Sequence, residues 1–582
     1  MHTIPSNTSG QKSSEQAILT IESRLHKMQQ TLPLPAFSPA QREAQHRAQR
    51  VHVRDLWFMA TLLSACILSI AACFHFFQQH QILLYIDAYS HIRIARSVID
   101  STNPGIAQLG TVWLPLPHVF MLPFIWNMYL WRTGLAGSIV SMICYVITAL
   151  YLYLSARRLT NRRILSYLGA LVFLLNPNIL YLQSTPLSEL VGICTMTMTC
   201  YYFLSWVQEE RPKLLILCAA CTFLATLARY ESWILLLALC VLIVVIGWQK
   251  HHSWSQIRGN LVLFGVFAAF GIALWLLWNQ VIFGNALAFQ NGPYSAKAAQ
   301  LEFLRAGTLY TYHNWWLSVK TYTLTVTETV GPLLFALAAL ALLLFCIQER
   351  CSPVALTMLV FLSIFGFEVL SLYTGQTVIW LPGVLKDTGM KLFNVRYGTE
   401  MVVPVALLLT ILVNNGCRLL HKRWHALIQI VFTIAVTIQT VLIVTHGIIT
   451  LQDGLYGLSC TPSHPLNMYL AQHYAGGKIL QDVTAGDYNL VDTGIDLKNV
   501  IYNGSADLWQ QALAHPETTV EWVIDPNKNP IHQHVESPTF KRQFTLVVQE
   551  PGGLRLYHHI GRPQLPSRTV SNDMLTDHRL CH

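Results

Sequence analysis

The chain has 582 residues, of which 53% are hydrophobic and only 12% are charged. Soluble domains carry about 25% charged residues, so this composition excludes a soluble enzyme with an ordinary surface. It also excludes an intrinsically disordered protein, which needs low hydrophobicity and high net charge. The formal net charge of +9 does not indicate nucleic-acid binding, because many basic residues lie in short runs between apolar segments. We therefore expect a polytopic α-helical membrane protein with an attached soluble module.

Residues 1–54 are polar and predict a disordered tail, which is cytoplasmic because four arginines at its end immediately precede the first apolar segment. That segment begins at Asp55 and is long enough to cross a bilayer. Ten further apolar segments follow, which gives about 11 spans in a membrane domain over 55–450. These further segments lie near 134–156, 164–182, 187–207, 213–229, 231–248, 259–283, 325–347, 353–375, 398–416 and 425–449.

The segment 113–131 is apolar enough to span but contains three prolines. If it spans, basic loops such as 156–163 and 417–425 move to the outer side and violate the positive-inside rule. We therefore predict that it forms an interfacial helix on the outer surface. The loops 79–133 and 284–324 and the C-terminus are then extracytoplasmic.

Beyond the membrane domain, 451–561 loses the long apolar runs and predicts a small extracytoplasmic α/β domain, followed by a flexible tail over 562–582. A helix is expected at 505–515, with Ser505 as its N-cap. Cys460 and Cys581 are the only cysteines in this part of the chain, and a disulfide between them is left open. The expected strands are 478–483, 499–503, 520–525, 544–550 and 554–559.

Ionisable residues gather at the predicted outer ends of the helices. Asp87 follows the first span, and His91 is four residues later, so a helix places both on one face. A charge at this position suggests function, but an Asp that caps a helix fits the same spacing equally well. Glu189 opens a helix after a Ser-Thr-Pro turn, where plain capping is again the alternative.

Two arginines lie on the same predicted side. The fork of Arg396 suits a lipid-linked phosphate, and an interfacial anchor beside Tyr397 is its alternative. Arg229 is a further candidate for the donor phosphate, and a snorkelling pair with Glu231 is its alternative. Carboxylates that deprotonate an acceptor, together with cations that stabilise a departing phosphate, indicate group transfer from a lipid phosphate.

Several of these segments resemble the C-type glycosyltransferase superfamily, whose multispanning enzymes use polyprenyl-phosphate-linked sugars. YIDAYSHIRIAR (85–96) is similar to its first-loop acidic element, and STPLSE (184–189) is similar to its second-loop acidic motif. HVFMLPFIWNMYLW (118–131) resembles a surface helix of bacterial relatives. TLARYESW, NGPYSA and NVRYG look like segments of uncharacterised bacterial members.

The resemblance implies roles for particular residues. Asp87 takes the catalytic or metal-binding acidic role, Glu189 assists it, and Arg396 holds the donor phosphate. His91 orients Asp87 or the acceptor. The loop 284–324, with Tyr294 and Lys297, is expected to form part of the substrate pocket. The one cofactor implied is a divalent metal, Mg²⁺ or Mn²⁺, on Asp87 and Glu189.

The sequence departs from the superfamily at three points. The first-loop acid is a single Asp instead of the pair found in protein O-mannosyltransferases, and the second motif is Ser-Glu instead of Asp-x-Asp. The second departure puts the metal requirement in doubt. The sequon-reading motif of oligosaccharyltransferases is absent from 450–582, which disfavours N-glycan transfer.

The sequence thus favours transfer of a sugar from a polyprenyl-phosphate donor to a glycan, lipid or protein on the extracytoplasmic face of a cell membrane. The alternative is a transporter or flippase of lipid-linked precursors. That class needs ionisable residues near the membrane midplane, where Glu368 is the clearest candidate. A non-catalytic membrane scaffold is the third hypothesis. The residues identify neither the sugar nor the acceptor.

Overall fold

The structure, a computed structural model, describes residues 55–110, 112–292, 295–349, 352–384, 391–460, 465–483, 490–505, 507–527 and 529–566. The predicted cytoplasmic tail, Tyr294 and Cys581 lie outside the described residues.

Apolar helices form most of the described chain. The helices of the membrane part are α1 (Leu56–Gln78), α2 (Ile86–Ser97), α3 (Leu116–Ile125), α4 (Met128–Arg132), α5 (Leu135–Thr160), α6 (Arg163–Leu174), α7 (Pro177–Leu182), α8 (Glu189–Glu209), α9 (Pro212–Thr226), α10 (Glu231–Gln249), α11 (Trp254–Phe283), α12 (Ala288–Asn291), α13 (Ala296–Arg305), α14 (Trp315–Val330), α15 (Pro332–Glu349), α16 (Pro353–Leu359), α17 (Phe361–Thr374), α18 (Val402–Leu419), α19 (His425–His446) and α20 (Ile449–Tyr456). A 3₁₀ turn over Val395–Met401 leads into α18.

Nine helical runs in the described residues are long and apolar enough to cross a membrane. Six are the single helices α1, α5, α8, α10, α11 and α15. The other three are Pro353–Thr374, Val395–Leu419 and Lys422–Tyr456. The predicted multi-pass helical fold is confirmed, but the count of about 11 spans is not.

Two predicted spans are shorter than the hydropathy of the sequence suggested. The segment 164–182 divides at Asn176, whose side chain accepts hydrogen bonds from the N–H groups that begin α7. Pro177 follows at the first helical position, and the residue before a proline is disfavoured in helical geometry. The segment 213–229 is helical only over Pro212–Thr226.

The segment 113–131 forms the two short helices α3 and α4, which are separated by Trp126 and Asn127. A ten-residue helix such as α3 is about 15 Å long, half of the ~30 Å hydrocarbon core. This geometry agrees with the predicted interfacial, non-spanning segment.

The C-terminal part contains a five-stranded sheet with the order β2-β1-β3-β5-β4. The pairs β1–β2 and β1–β3 are parallel, and β3–β5 and β4–β5 are antiparallel. All five strands fall where the sequence predicts them, which confirms the small α/β domain. Cys460, before the sheet, is disulfide-bonded. The elements are α21 (Pro465–His473), β1 (Ile479–Gln481), β2 (Val500–Tyr502), α22 (Asp507–Ala514), α23 (Pro516–Thr519), β3 (Trp522–Asp525), α24 (Pro530–Val535), α25 (Pro538–Gln543), β4 (Phe544–Gln549) and β5 (Arg555–His559).

A buried carboxylate joins this sheet domain to α2. Asp100 accepts hydrogen bonds from the backbone N–H groups of Leu497 (3.2 Å) and Lys498 (3.1 Å). It also pairs with Arg96 Nε at 3.0 Å, and Arg96 Nη1 donates to the carbonyl of Ile125 at 2.8 Å. The last turn of α2 is therefore fixed to the sheet domain and to α3 at once.

We expect Asp100→Ala to loosen this junction, because two backbone N–H groups and the Arg96 guanidinium lose their shared acceptor. Leaving buried donors unsatisfied costs about 1–3 kcal/mol. Thermal unfolding in detergent is expected to show a lower midpoint, and limited proteolysis is expected to cleave the sheet domain faster. Asp507→Ala, on the exposed start of α22, is the matched control. Equal proteolysis rates in the two variants would contradict the proposed junction.

Candidate functional site

The ends of several helices meet at one end of the bundle and bring six charged side chains together, and a seventh, Glu368, joins them from the middle of α17. Helix N-termini favour acidic residues, because their free N–H groups and the helix dipole attract negative charge. Asp87 lies in the first turn of α2, and Glu189 and Glu231 are the first residues of α8 and α10. We call the whole set the acid–arginine cluster; its members are Asp87, Glu189, Arg229, Glu231, Glu368, Arg396 and Glu400.

Arg396 bridges two of the acids that the sequence singles out. Its Nη2 contacts Asp87 Oδ2, and its Nε lies 2.8 Å from Glu189 Oε1. The guanidinium carbon lies 4.9 Å from the ring centroid of Tyr85 and 5.3 Å from that of Tyr397. The Arg396 side chain is only 3% exposed, and its buried Nη1 has no hydrogen-bond partner in the described part of the chain.

Arg229 is the second arginine of the cluster, and three carboxylates surround it. Its Nη2 lies 2.6 Å from Glu231 Oε1, and its Nε lies 3.1 Å from Glu400 Oε1. Its Nη1 is 3.4 Å from Glu189 Oε1, so Glu189 connects the two arginines. Burial by itself would lower the pKa of Arg229, but these carboxylates raise it well above its usual value. Arg229 therefore stays positively charged, and its charge is already balanced by these carboxylates.

The segment before Arg396 is held by hydrogen bonds to the helix α20. The Tyr85 hydroxyl donates to the Thr450 carbonyl at 2.5 Å and to Asp453 Oδ2 at 3.2 Å. The same Asp453 oxygen accepts from the backbone N–H of Val395 at 3.3 Å. Burial, followed by the nearby Asp453, raises the pKa of Tyr85 well above its usual value, so the hydroxyl remains a donor. Asp453 thus links the residue before Arg396 to Tyr85, whose ring packs against the guanidinium.

Asp87 and Glu189 differ sharply in access. The Asp87 side chain is 25% exposed, whereas that of Glu189 is 2% exposed. The Oε2 atom of Glu189 is buried and has no hydrogen-bond partner in the described residues. Of the two predicted catalytic acids, only Asp87 can therefore meet a substrate without a rearrangement of the helices.

His91 lies one turn after Asp87 on α2 and is paired with a second histidine. Its Nδ1 is 2.8 Å from His118 Nε2, and its ring centroid is 4.9 Å from that of Trp113. Burial lowers the pKa of His91 to about 4, and burial together with His91 lowers the pKa of His118 well below its usual value. Both rings are therefore neutral near pH 7, and one donates to the other.

The structure brings Asp87, Glu189, Arg229 and Arg396 into direct contact in pairs, with His91 on the same helix as Asp87. Lys297, the predicted substrate-loop residue, is exposed on α13, and the described residues do not include Tyr294.

Sequence analysis gave no role to Glu400 or His118. Glu400 is four residues after Arg396. An acidic residue this close to the start of a span is also what an ordinary helix N-terminus contains, so its sequence position does not indicate a site. His118 lies among prolines in an apolar segment, where its pairing with a residue 27 positions away leaves no local signal.

Part of the chain matches a known family. Residues 121–278 match the family described as dolichyl-phosphate-mannose-protein mannosyltransferase. This match confirms the predicted resemblance to the C-type glycosyltransferases and supports glycosyl transfer as the general reaction class. The matched stretch contains Glu189, Arg229 and Glu231, but not Asp87 or Arg396. No curated protein matches the chain significantly.

Two solved membrane enzymes are similar in architecture at low identity. ArnT from Cupriavidus metallidurans, bound to undecaprenyl phosphate, is 10% identical with a TM-score of 0.48, and the comparison covers 85% of this chain and 98% of that one. The oligosaccharyltransferase of Archaeoglobus fulgidus, tethered to an acceptor peptide with the NVT sequon, is 11% identical with a TM-score of 0.44, over 87% and 74%.

Gly192 on α8 leaves the space that the Arg229 side chain occupies. A β-carbon at this position would lie 2.5 Å from Arg229 Cδ. We expect Gly192→Ala to displace the arginine from its carboxylates and to lower the thermal midpoint, because overpacking costs about 1–3 kcal/mol. Gly366→Ala is the matched control, because a β-carbon there meets nothing within 4 Å. Equal midpoints for the two variants would refute this role of Gly192.

The histidine pair predicts a pH-dependent stability. Between pH 6.5 and about 4 the unfolded chain protonates His91 and the folded chain does not, so stability falls as the pH falls. The loss is about 1.4 kcal/mol per pH unit for a fully buried histidine. We expect thermal midpoints measured from pH 7 to pH 5 to fall more steeply for the wild type than for His118→Gln. His515→Gln, on an exposed side chain, is expected to keep the wild-type slope.

Proposed function

We propose that this protein is a membrane glycosyltransferase that moves a sugar from a polyprenyl-phosphate donor to a glycan, lipid or protein acceptor on the extracytoplasmic face. The observation that carries the proposal is Arg396, a buried guanidinium that holds Asp87 and Glu189 and keeps one N–H group without a partner in the described residues. The family match over 121–278 supports the same reaction class.

Arg396 is suited to the donor phosphate for two reasons. Its planar fork matches the spacing of phosphate oxygens. Its Nη1 is buried and has no hydrogen-bond partner in the described residues, so it can donate to the phosphate once the site opens around the donor. Its Nε is fixed by Glu189, and its plane is packed against Tyr85 and Tyr397, so little conformational entropy is lost when phosphate binds. Arg229 stays a predicted second phosphate contact, but its three carboxylate partners favour Arg396 for this role.

Asp87 is the general base of the proposed reaction. The acceptor hydroxyl gives its proton to the Asp87 carboxylate while its oxygen attacks the anomeric carbon of the sugar. The bond between that carbon and the phosphate oxygen breaks, and the lipid phosphate leaves with the bonding electrons. Arg396 stabilises the charge that develops on this leaving group. The donor phosphate and Asp87 compete for the guanidinium of Arg396. Binding of the donor therefore releases the Asp87 carboxylate.

Glu189 and His91 have supporting roles in this scheme. Glu189 is too buried to reach an acceptor, and it positions Arg396 through the 2.8 Å contact. His91 is neutral near pH 7, so it can orient Asp87 or the acceptor by hydrogen bonding but carries no charge. The proposed acceptor side includes the sheet domain, because Asp100 fixes that domain to the helix that carries Asp87. The loop 284–324, with Lys297, stays a predicted part of the pocket.

A divalent metal on Asp87 and Glu189 stays a prediction. Arg396 lies between these carboxylates and supplies positive charge there, so their arrangement fits a guanidinium better than an ion. The proposed steps therefore use no metal at this position.

The transport alternative depended mainly on Glu368 as a midplane charge. Glu368 instead groups with Glu231, at the start of α10, and with Glu400, in the turn that precedes α18. It thus belongs to the acid–arginine cluster, which it joins from the middle of α17. Because Glu368 is part of this cluster and not a separate midplane charge, its contacts support transfer over transport.

We expect Asp87→Asn to lower sugar release from radiolabelled polyprenyl-phosphate sugars by about 100-fold or more, because a general base contributes 10²–10⁴ to a rate. The assay uses purified protein with glycan, lipid and peptide acceptors, after thermal unfolding has shown that the variant is folded. Asp507→Asn, on the exposed face of α22, is the control. Equal rates for Asp87→Asn and wild type would remove Asp87 from catalysis. A wild type that is inactive on every donor and acceptor would refute the proposed reaction.

A further inference from the structure

Three glutamates form a compact group within the acid–arginine cluster. One carboxylate oxygen from each of Glu231, Glu368 and Glu400 lies within 4.8 Å of the others. Their exposed fractions are 5%, 1% and 3%. The three side chains come from the start of α10, from the middle of α17 and from the turn before α18. We call this set the triglutamate group.

Several oxygens of this group lack hydrogen-bond donors. The Oε2 atoms of Glu400 and Glu368 are buried without a hydrogen-bond partner in the described part of the chain, whereas Glu400 Oε1 lies 3.1 Å from Arg229 Nε. Arg229 pairs with Glu231 and Glu400, whereas Glu368 forms no ion pair with any described residue. These orphaned oxygens are a separate observation from the clustering itself, because acids can cluster and still be satisfied by neighbouring N–H groups.

The net charge of the whole cluster also indicates a missing cation. Its five carboxylates face only two guanidinium groups, those of Arg229 and Arg396. Buried carboxylates need a counter-charge or a proton, because an unpaired ion in a low-dielectric interior costs several kcal/mol or more. A cation between the three glutamates would supply two of the missing charges.

The donor set and its dimensions suit a hard divalent cation. Oxygen-only carboxylate sites favour Mg²⁺, Ca²⁺ and Mn²⁺ over metals that prefer sulfur or nitrogen. Two oxygens on one ion can be no farther apart than twice the metal–oxygen distance, about 4.2 Å for Mg²⁺ and about 4.8 Å for Ca²⁺. The three oxygens lie within 4.8 Å of one another, which meets the limit for Ca²⁺, whereas Mg²⁺ requires them to move closer together.

We propose that Glu231, Glu368 and Glu400 bind one divalent cation of the Mg²⁺, Mn²⁺ or Ca²⁺ class. The ion joins α10, α17 and the turn that carries Arg396. It shares Glu231 and Glu400 with Arg229, which also contacts Glu189, and through these contacts it sets the position of Arg396. Its role is to position the arginines, and the site is separate from Asp87. The proposal does not depend on the transfer reaction.

Metal binding by the full chain in detergent tests this site directly. After treatment with EDTA, the wild type is expected to bind one Mn²⁺ per chain by electron paramagnetic resonance. Its thermal midpoint is expected to rise with added Mn²⁺, Mg²⁺ or Ca²⁺ and then to saturate, because a ligand that binds only the folded state stabilises it. Glu368→Gln and Glu400→Gln, which keep the side-chain volume, are expected to weaken Mn²⁺ binding at least 100-fold.

Two controls locate the ion. Glu302→Gln, on the exposed face of α13, is expected to bind Mn²⁺ like the wild type. Asp87→Asn is expected to do the same, because Asp87 is not a ligand of the proposed site. Binding that is lost in Asp87→Asn and kept in Glu368→Gln would overturn the proposal and place the ion at Asp87.

The wild type and Asp87→Asn together decide the question if the glutamine variants do not fold. One tightly bound Mn²⁺ per chain that Asp87→Asn keeps, with a saturable rise in the thermal midpoint, supports the site, and binding that Asp87→Asn abolishes overturns it. No Mn²⁺ binding, together with midpoints that none of the three cations changes, overturns it and leaves protons as the source of the missing charge.

Discussion

The site depends on one buried ion pair, in which Arg396 is held between Asp87 and Glu189. A buried guanidinium is tolerated only when carboxylates and hydrogen bonds replace its hydration. This requirement brings the starts of α2 and α8, which carry Asp87 and Glu189, to the turn that carries Arg396. The aromatic rings of Tyr85 and Tyr397 then fix its plane. The charges are therefore both a structural constraint on the bundle and the means by which it can receive a phosphate.

Around this pair the carboxylates divide into two kinds. Asp87 is the accessible acid, whereas Glu231, Glu368 and Glu400 are enclosed and share one arginine among them. An accessible acid suits proton transfer to and from a substrate, and enclosed acids suit a bound cation. The same type of residue thus serves different chemistry because the packing of the helices gives each one a different environment.

The sequence predicts the helical membrane fold, the five short strands and the first members of the site, because apolar runs and charges at helix starts are local signals. It does not predict the pairing of Arg396 with Asp87, since these residues are 309 positions apart. The predicted count of about 11 spans is not confirmed, because Asn176 and Pro177 divide one apolar run into two shorter helices. Glu400 was missed for a related reason, since an acid next to a span looks the same whether it caps a helix or joins a cluster.

The backbone beside Asp87 is tied to the segment that carries the disulfide-bonded Cys460. The N–H of Ile86 donates to the carbonyl of Ser459 at 2.9 Å, and Tyr85 forms an isolated bridge with Cys460. Disulfides form and persist in oxidising compartments, whereas cysteine thiols stay reduced in the cytosol. Maturation of this site therefore includes an oxidation event, and a chain retained in a reducing compartment would keep its membrane helices but lack the covalent restraint next to Asp87.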